Sequence, residues 1–185
     1  ALTANTASYN TAVGYQAAYS NTTASSNAAL GWKAAYYNTT GPQNTAIGET
    51  SLYYNTTGAK NVAVGCEALF SNSTASNNTA VGYQAGYSNT TGTYNAFFGL
   101  EAGKANTTGS YNTVVGYKAG ITATTATFNT YVGTFAGELG SGGSNTFIGN
   151  NAGVYVSSGA KNTILGRYDG NQGGLDIRTS SNNIV

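Results

Sequence analysis

An all-β chain, a parallel β-solenoid (β-roll) of ten 17-residue coils, is predicted by three observations: a fixed period, an alternating apolar pentad within it, and a composition hostile to helix. The phrase Asn-Thr-Ala-Val-Gly recurs with small variations along the 185 residues. Its Asn falls at Asn10, Asn27, Asn44, Asn61, Asn78, Asn95, Asn112, Asn129, Asn145 and Asn162. Its Gly falls at Gly14, Gly31, Gly48, Gly65, Gly82, Gly99, Gly116, Gly133, Gly149 and Gly166. Successive glycines lie 17 residues apart, except that Gly149 follows Gly133 after 16. The lost residue belongs between Gly133 and Asn145, in the turn Gly140-Ser-Gly-Gly-Ser144, where glycine relaxes the backbone geometry.

Seventeen residues are too few for a helix–turn–helix unit, and the Gly, Asn and Thr content opposes helix. A five-residue strand, a short second strand and two corners do fit one coil. Stacked coils then bury a core that no single coil could bury alone. The elements follow in constant order. The pentad Asn78-Thr-Ala-Val-Gly82 leads into Tyr83-Gln-Ala-Gly86, then Tyr87-Ser88, then the polar corner Asn89-Thr-Thr-Gly92. That corner recurs in register at Asn21, Asn38, Asn55, Asn72, Asn89 and Asn106, and from residue 121 it gives way to Thr/Ser/Gly-rich text.

The pentad alternates as a strand should. Its fourth position is apolar in every coil: Val13, Leu30, Ile47, Val64, Val81, Phe98, Val115, Val132, Ile148 and Leu165. This column is assigned to the buried face. The third position runs Ala12, Ala29, Ala46, Ala63 and Ala80, then Phe97, Val114, Tyr131, Phe147 and Ile164. Both faces of the strand are therefore apolar, and whichever points outward needs a cover. Ten turns at a strand spacing of about 4.8 Å make a rod of about 48 Å. A thin rod with a second apolar stripe is best stabilised by self-association about its long axis, and a homotrimer, intertwined or side by side, gives every stripe a partner. The switch from small to large in the third column is expected to mark a place where the rods spread or their shared core changes thickness. The pentad Gly is expected at a tight bend or close backbone approach, with positive φ. A column of Asn can pass amide hydrogen bonds from coil to coil.

Composition narrows the function. Charged residues are 7% of the chain and the net charge is +1. There is no electrostatic footprint for nucleic acid, and no apolar run suits membrane insertion. Low charge can signal disorder, but 15 Tyr, 6 Phe and 1 Trp at fixed intervals argue for packing. A surface of Asn, Thr, Ser and Gly suits work outside cells. His is absent, which removes most acid–base triads and common zinc sites. Glu67 and Glu101 share one position two coils apart, about 10 Å at the strand spacing, but no pocket is evident around them. No catalytic residue, cofactor or metal is assigned, and the chain is read as a non-enzyme. The single Cys66 sits where other coils carry Tyr, Trp or Leu and reads as filler.

Several columns admit two readings. Sequons at Asn21, Asn38, Asn55, Asn72, Asn77, Asn89 and Asn106 could carry glycans, or Asn-Thr-Thr-Gly could simply be a good corner. Tyr15, Trp32, Tyr83 and Tyr117 form one aromatic column, and Tyr19, Tyr36, Tyr53, Phe70 and Tyr87 another. Such ladders could stack on sugars or could pack laterally and stiffen the rod. Thr22, Thr39, Thr56, Thr90 and Thr107 could form an ice-binding array, but Ser73 interrupts it.

Residues 1–166 read as the repetitive solenoid and 167–185 as a transition to another domain downstream. Leu175-Asp-Ile-Arg-Thr179 reads as an isolated strand, and Asn182-Asn-Ile-Val185 echoes the pentad. Asp169 and Asp176 could hold Ca²⁺, though turn capping is the plainer role. With no Met, and repeat-like text at both termini, the chain is expected to be a piece of a longer one.

Two families are similar at the pentad. One is the head region of trimeric autotransporter adhesins, a left-handed parallel β-roll with Ser/Asn-x-Ala-Ile/Val-Gly repeats. The closer resemblance is to bacteriophage tail-fibre proteins, which carry text like Asn78-Thr-Ala-Val-Gly-Tyr-Gln-Ala-Gly86, with stretches like Lys161-Asn-Thr-Ile-Leu-Gly-Arg-Tyr-Asp-Gly170 and Gly174-Leu-Asp-Ile-Arg-Thr179 ahead of a C-terminal chaperone. The 17-residue period departs from the adhesins' shorter coil. The resemblance implies a homotrimeric, left-handed fibre shaft or tip on a virion, with a host surface glycan or protein as partner. A bacterial surface adhesin or filament is the alternative.

Overall fold

The computed structural model describes residues 5–172 and 175–185. Ten strands, one per coil, stack into a single parallel sheet in chain order: β1 (Thr11–Val13), β2 (Ala28–Leu30), β3 (Thr45–Ile47), β4 (Val62–Val64), β5 (Thr79–Val81), β6 (Ala96–Phe98), β7 (Thr113–Val115), β8 (Thr130–Val132), β9 (Thr146–Ile148) and β10 (Thr163–Leu165). Registers are constant, so Ala12 faces Ala29, Ala80 faces Phe97 and Phe147 faces Ile164. The bonds between coils repeat as well. Thr11 N–H donates to the Asn27 carbonyl at 2.8 Å, and Gly31 N–H donates back to the Val13 carbonyl at 2.8 Å.

The second side of coils one to nine is not a strand. It is a run of turns in which every second residue is left-handed, as at Gln16 (φ 54°) and Ala18 (φ 49°), or Glu67 (φ 58°) and Leu69 (φ 49°). This wall still bonds from coil to coil: Ala18 N–H donates to the Ala34 carbonyl at 2.9 Å, and Lys33 N–H donates to the Tyr15 carbonyl at 2.8 Å. A left-handed Ala or Leu costs about 1–2 kcal/mol. The expected second strand gives way because the alternating handedness closes a 17-residue loop while keeping the backbone groups paired.

The pentad glycines have φ between +129° and +143° from Gly14 to Gly149, where other residues are strained. Space forbids a side chain too. A Cβ on Gly48 would lie 2.5 Å from the Gly65 carbonyl oxygen in the next coil. The bend and the close approach expected at this column are both present.

The core corrects the assignment of faces. The third pentad position, not the fourth, points inward: Ala29, Ala46, Ala63 and Ala80, then Phe97, Tyr131, Phe147 and Ile164, are buried at 0–1% exposure. The fourth position points outward, with Val13 60%, Leu30 36% and Ile47 39% exposed. The interior is narrow, and across it lies the wall column Ala18, Ala35, Leu52, Leu69, Gly86, Gly103, Gly120, Gly137, Gly153. In coils one to four the strand carries Ala and the wall Ala or Leu, and the wall Gly of coil five, Gly86, already lies against the Phe97 ring of coil six. Where the strand turns large, the wall turns to Gly. A Cβ on Gly86 would sit 2.6 Å from the Phe97 ring, on Gly137 2.8 Å from the Tyr131 ring, and on Gly153 2.5 Å from the Phe147 ring. The switch in size is thus complemented within the chain, while register and bonding continue unchanged through β5–β6–β7.

The shortened coil loses its residue where the sequence placed it. Ser141 hydroxyl and N–H donate to the Ser157 carbonyl, as Thr107 does to Thr124. Gly142 accepts from Asn145 Nδ2 at 3.1 Å, as Gly41 does from Asn44 at 3.0 Å. Thr39 and Asn44 are five residues apart, Ser141 and Asn145 four, so the deletion falls between Ser141 and Gly142. Asn129, one coil below, keeps a buried Nδ2 with no hydrogen-bond partner.

The C-terminal segment continues the stack. Residues β11 (Asn171–Gln172) and β12 (Leu175–Asp176) form an antiparallel hairpin, so the expected isolated strand has a partner. Ile177 is buried against the core. The pentad echo begins one residue later than the sequence suggests. Asn183 N–H donates to Asn162 Oδ1 at 2.9 Å, Thr163 pairs with Ile184, and Leu165 N–H donates to the Val185 carbonyl at 2.9 Å. The hairpin is an insertion after which the chain resumes coiling.

Candidate functional site

Two Asn columns tie the coils together from inside. Most pentad Asn side chains are adaptors between backbones: Asn61 N–H donates to Asn44 Oδ1 at 2.9 Å, and Asn44 Nδ2 donates to the Gly58 carbonyl at 2.8 Å, whereas Asn27 and Asn129 only accept. The corner Asn residues form a direct amide ladder. Asn55 Nδ2 donates to Asn38 Oδ1 at 2.6 Å, Asn72 to Asn55 at 3.0 Å, Asn89 to Asn72 at 3.0 Å and Asn106 to Asn89 at 2.7 Å. Six of the seven sequons therefore place their Asn inside the folded coil, and only Asn77 is half-exposed. The neighbouring hydroxyls are also engaged. Thr22, Thr39, Thr56, Thr90 and Thr107 each donate to a carbonyl one coil on, at 3.0–3.1 Å, so their protons run along the rod instead of facing outward as an ice-binding array would need.

On the outside of the wall the rings stack on each other. Tyr19, Tyr36, Tyr53, Phe70 and Tyr87 form a continuous ladder with centroids 5.0–5.4 Å apart, and Tyr37 and Tyr54 meet it edge-on. Inner ring faces are thereby covered by neighbouring rings, which leaves edges and hydroxyls to solvent and supports lateral packing over sugar stacking. A second ladder, Tyr94–Tyr111–Phe128, takes over at the corner before the pentad, with centroids 5.0 and 5.1 Å apart.

The carboxylates do not form a reactive pair. Glu67 accepts from Gln84 Nε2 at 2.6 Å. Glu101 is bound by Lys104 at 2.6 Å and faces Lys118 at 3.6 Å, and the Lys104 hydrogen bond holds its carboxyl below the usual range. Asp176 is held down to about 2 by hydrogen bonds from Arg178. Burial pushes the Cys66 thiol up, with Glu49 and Glu67 adding to the effect, so it is a poor nucleophile. Among the described residues no group of three His, Cys, Asp or Glu could hold a metal ion, and no helix is long and apolar enough to cross a membrane.

Two outward features remain. The first is the apolar stripe from Val13 to Leu165 on the sheet face, flanked by the second pentad position, half-buried except at Thr11 and Thr113. The second was not foreseen from the sequence: a cavity of about 360 Å³ in the opposite wall, between coils eight and ten. It opens where the chain leaves the repeat after Arg167 to build the hairpin. Phe135, Glu138, Asn151, Tyr155, Arg167 and Asp169 line it. Phe135 and Asn151 occupy the wall position that elsewhere carries Glu67 and its partner Gln84.

Searches against protein-family models, curated proteins and solved structures each found no match. The architecture stands on its geometry: an all-β, ten-coil parallel solenoid, consistent with a structural or adhesive role of the fibrous kind.

Proposed function

We propose that this chain is a structural segment, shaft or tip, of a bacteriophage tail fibre that presents the particle to a host cell surface, assembled as a homotrimer through its outward stripe. The observation that carries this reading is the column Val13, Leu30, Ile47, Val64, Val81, Phe98, Val115, Val132, Ile148, Leu165: ten apolar side chains in line on one face. Leu30, Ile47, Phe98 and Ile148 are each 36–41% exposed although the sheet beneath them is rigid and regular. An unbroken apolar line of this length is what proteins cover by association. Threefold assembly turns the three stripes toward one axis and leaves the polar walls outside. Stacked columns of Asn amides and rings add stiffness along the rod, as an extended fibre requires. In this reading the chain performs no chemistry.

The reading is tested by location. Gold-labelled antibodies raised against the purified chain should decorate the tail appendages of phage particles in negative-stain micrographs. Gold confined to bacterial envelopes would instead favour a bacterial surface adhesin.

A further inference from the structure

We propose that the wall cavity between coils eight and ten binds a neutral pyranose ring of a surface polysaccharide, with Tyr155 supplying an apolar platform and Glu138, Asn151 and Arg167 the hydroxyl contacts. The inference rests on the host-facing fibre reading and names a contact point for it. Three observations carry it.

The first is an available ring. The wall ladder covers its own ring faces, whereas Tyr155 is 50% exposed, stacks on no other ring among the described residues and borders the cavity. An uncovered aromatic face is what the apolar C–H side of a sugar needs. The second is unspent polarity. Ion pairs among the described residues join Lys104 and Lys118 to Glu101, and Arg178 to Asp176; Glu138 and Arg167 take part in none. A carboxylate, an amide and a guanidinium around one cavity supply both acceptors and donors for adjacent hydroxyls. The third is size and sign. About 360 Å³ admits a monosaccharide with room for its linkage. Glu138 and Asp169 outnumber Arg167, so the rim is net negative and disfavours a uronic or sialic acid.

Position agrees with the fibre. The cavity lies across the core from the apolar stripe, so assembly through the stripe leaves it open to a ligand. The cavity lies beside the break in the repeat.

The test uses the assembled protein and saturation-transfer difference NMR with methyl glycosides of glucose, galactose, mannose and N-acetylglucosamine, with methyl glucuronide and CaCl₂ as competitors. At least one neutral glycoside should receive saturation at millimolar concentration, with Tyr155→Ala weakening it at least fivefold and Glu138→Gln at least threefold. Tyr19→Ala, at the far end of the ladder, should leave it unchanged. Saturation of no neutral glycoside, preference for the glucuronide, displacement by calcium alone, or undiminished, wild-type binding by both cavity variants would overturn the site. Glu138→Gln keeps the test valid should Tyr155→Ala fail to fold. Gold on tail appendages together with a negative sugar result would remove the site and leave the fibre reading standing.

Discussion

The two halves of the stack close a 17-residue loop, shortened once to 16, with opposite arrangements of bulk. In the first half the strand contributes only alanine to the core, and the wall fills the space with Ala18, Ala35, Leu52 and Leu69. In the second half Phe97, Tyr131 and Phe147 reach across from the strand, and the wall retreats to Gly103, Gly137 and Gly153. The outside changes with the inside. The ring ladder on the wall ends at Tyr87, and a new one starts at Tyr94 on the corner before the pentad. The lesson is that a low-complexity repeat need not be a uniform one. Volume is conserved across the core, coil by coil, by two columns that change together, as close packing demands.

The comparison predicts unequal responses to substitution. The largest is at Phe97→Ala, which removes a fully buried ring facing Gly86 and Gly103, so nothing opposite can collapse into the gap; a loss of about 3–5 kcal/mol is expected by chemical denaturation. Pairing it with Gly103→Leu, which restores the arrangement of the first half, should recover part of that loss. Additive damage in the double variant would break the complementarity argument. Next comes Gly103→Ala alone. Its φ of +59° and its contact with the Phe97 ring should cost about 2–4 kcal/mol. Ala35→Gly, at the equivalent wall position in the first half, should change stability by well under half as much, since relief of its φ of 50° offsets a lost methyl. Equal effects at the two sites would show that the halves are not packed differently.

The smallest effect has the opposite sign. Tyr131 hydroxyl is buried beside Asn145 without a hydrogen bond of good geometry, and burial pushes the phenol's pKa up. Tyr131→Phe removes an unsatisfied polar atom and keeps the ring, so the melting midpoint should rise, by about 1 kcal/mol in stability. A fall would mean that the hydroxyl is satisfied in solution.

Much of this was legible in the sequence. The period fixed the number of coils, the register of the sheet and the place of the deletion, because a solenoid maps sequence spacing directly onto spatial stacking. The glycine column could be read as a positive-φ bend because no other residue replaces it in ten coils. The direction of the pentad could not. With both faces of a three-residue strand apolar, periodicity cannot say which points inward, and the answer depends on the wall. The wall signal was present, since Gly86, Gly103, Gly120 and Gly137 recur at 17-residue spacing and begin as Phe97 replaces alanine, but it is visible only when two columns are read together. The cavity was not legible at all. Its residues come from three coils and a break in the repeat, and neighbours across a break are not set by spacing.

The central claim is that the outward stripe is an assembly surface. Sedimentation equilibrium at low micromolar concentration tests it most directly. The account predicts a particle of three chains, three times 18.8 kDa or about 56 kDa, that Ile47→Asp dissociates without altering the far-ultraviolet circular dichroism. A wild-type particle of 18.8 kDa at that concentration would contradict it.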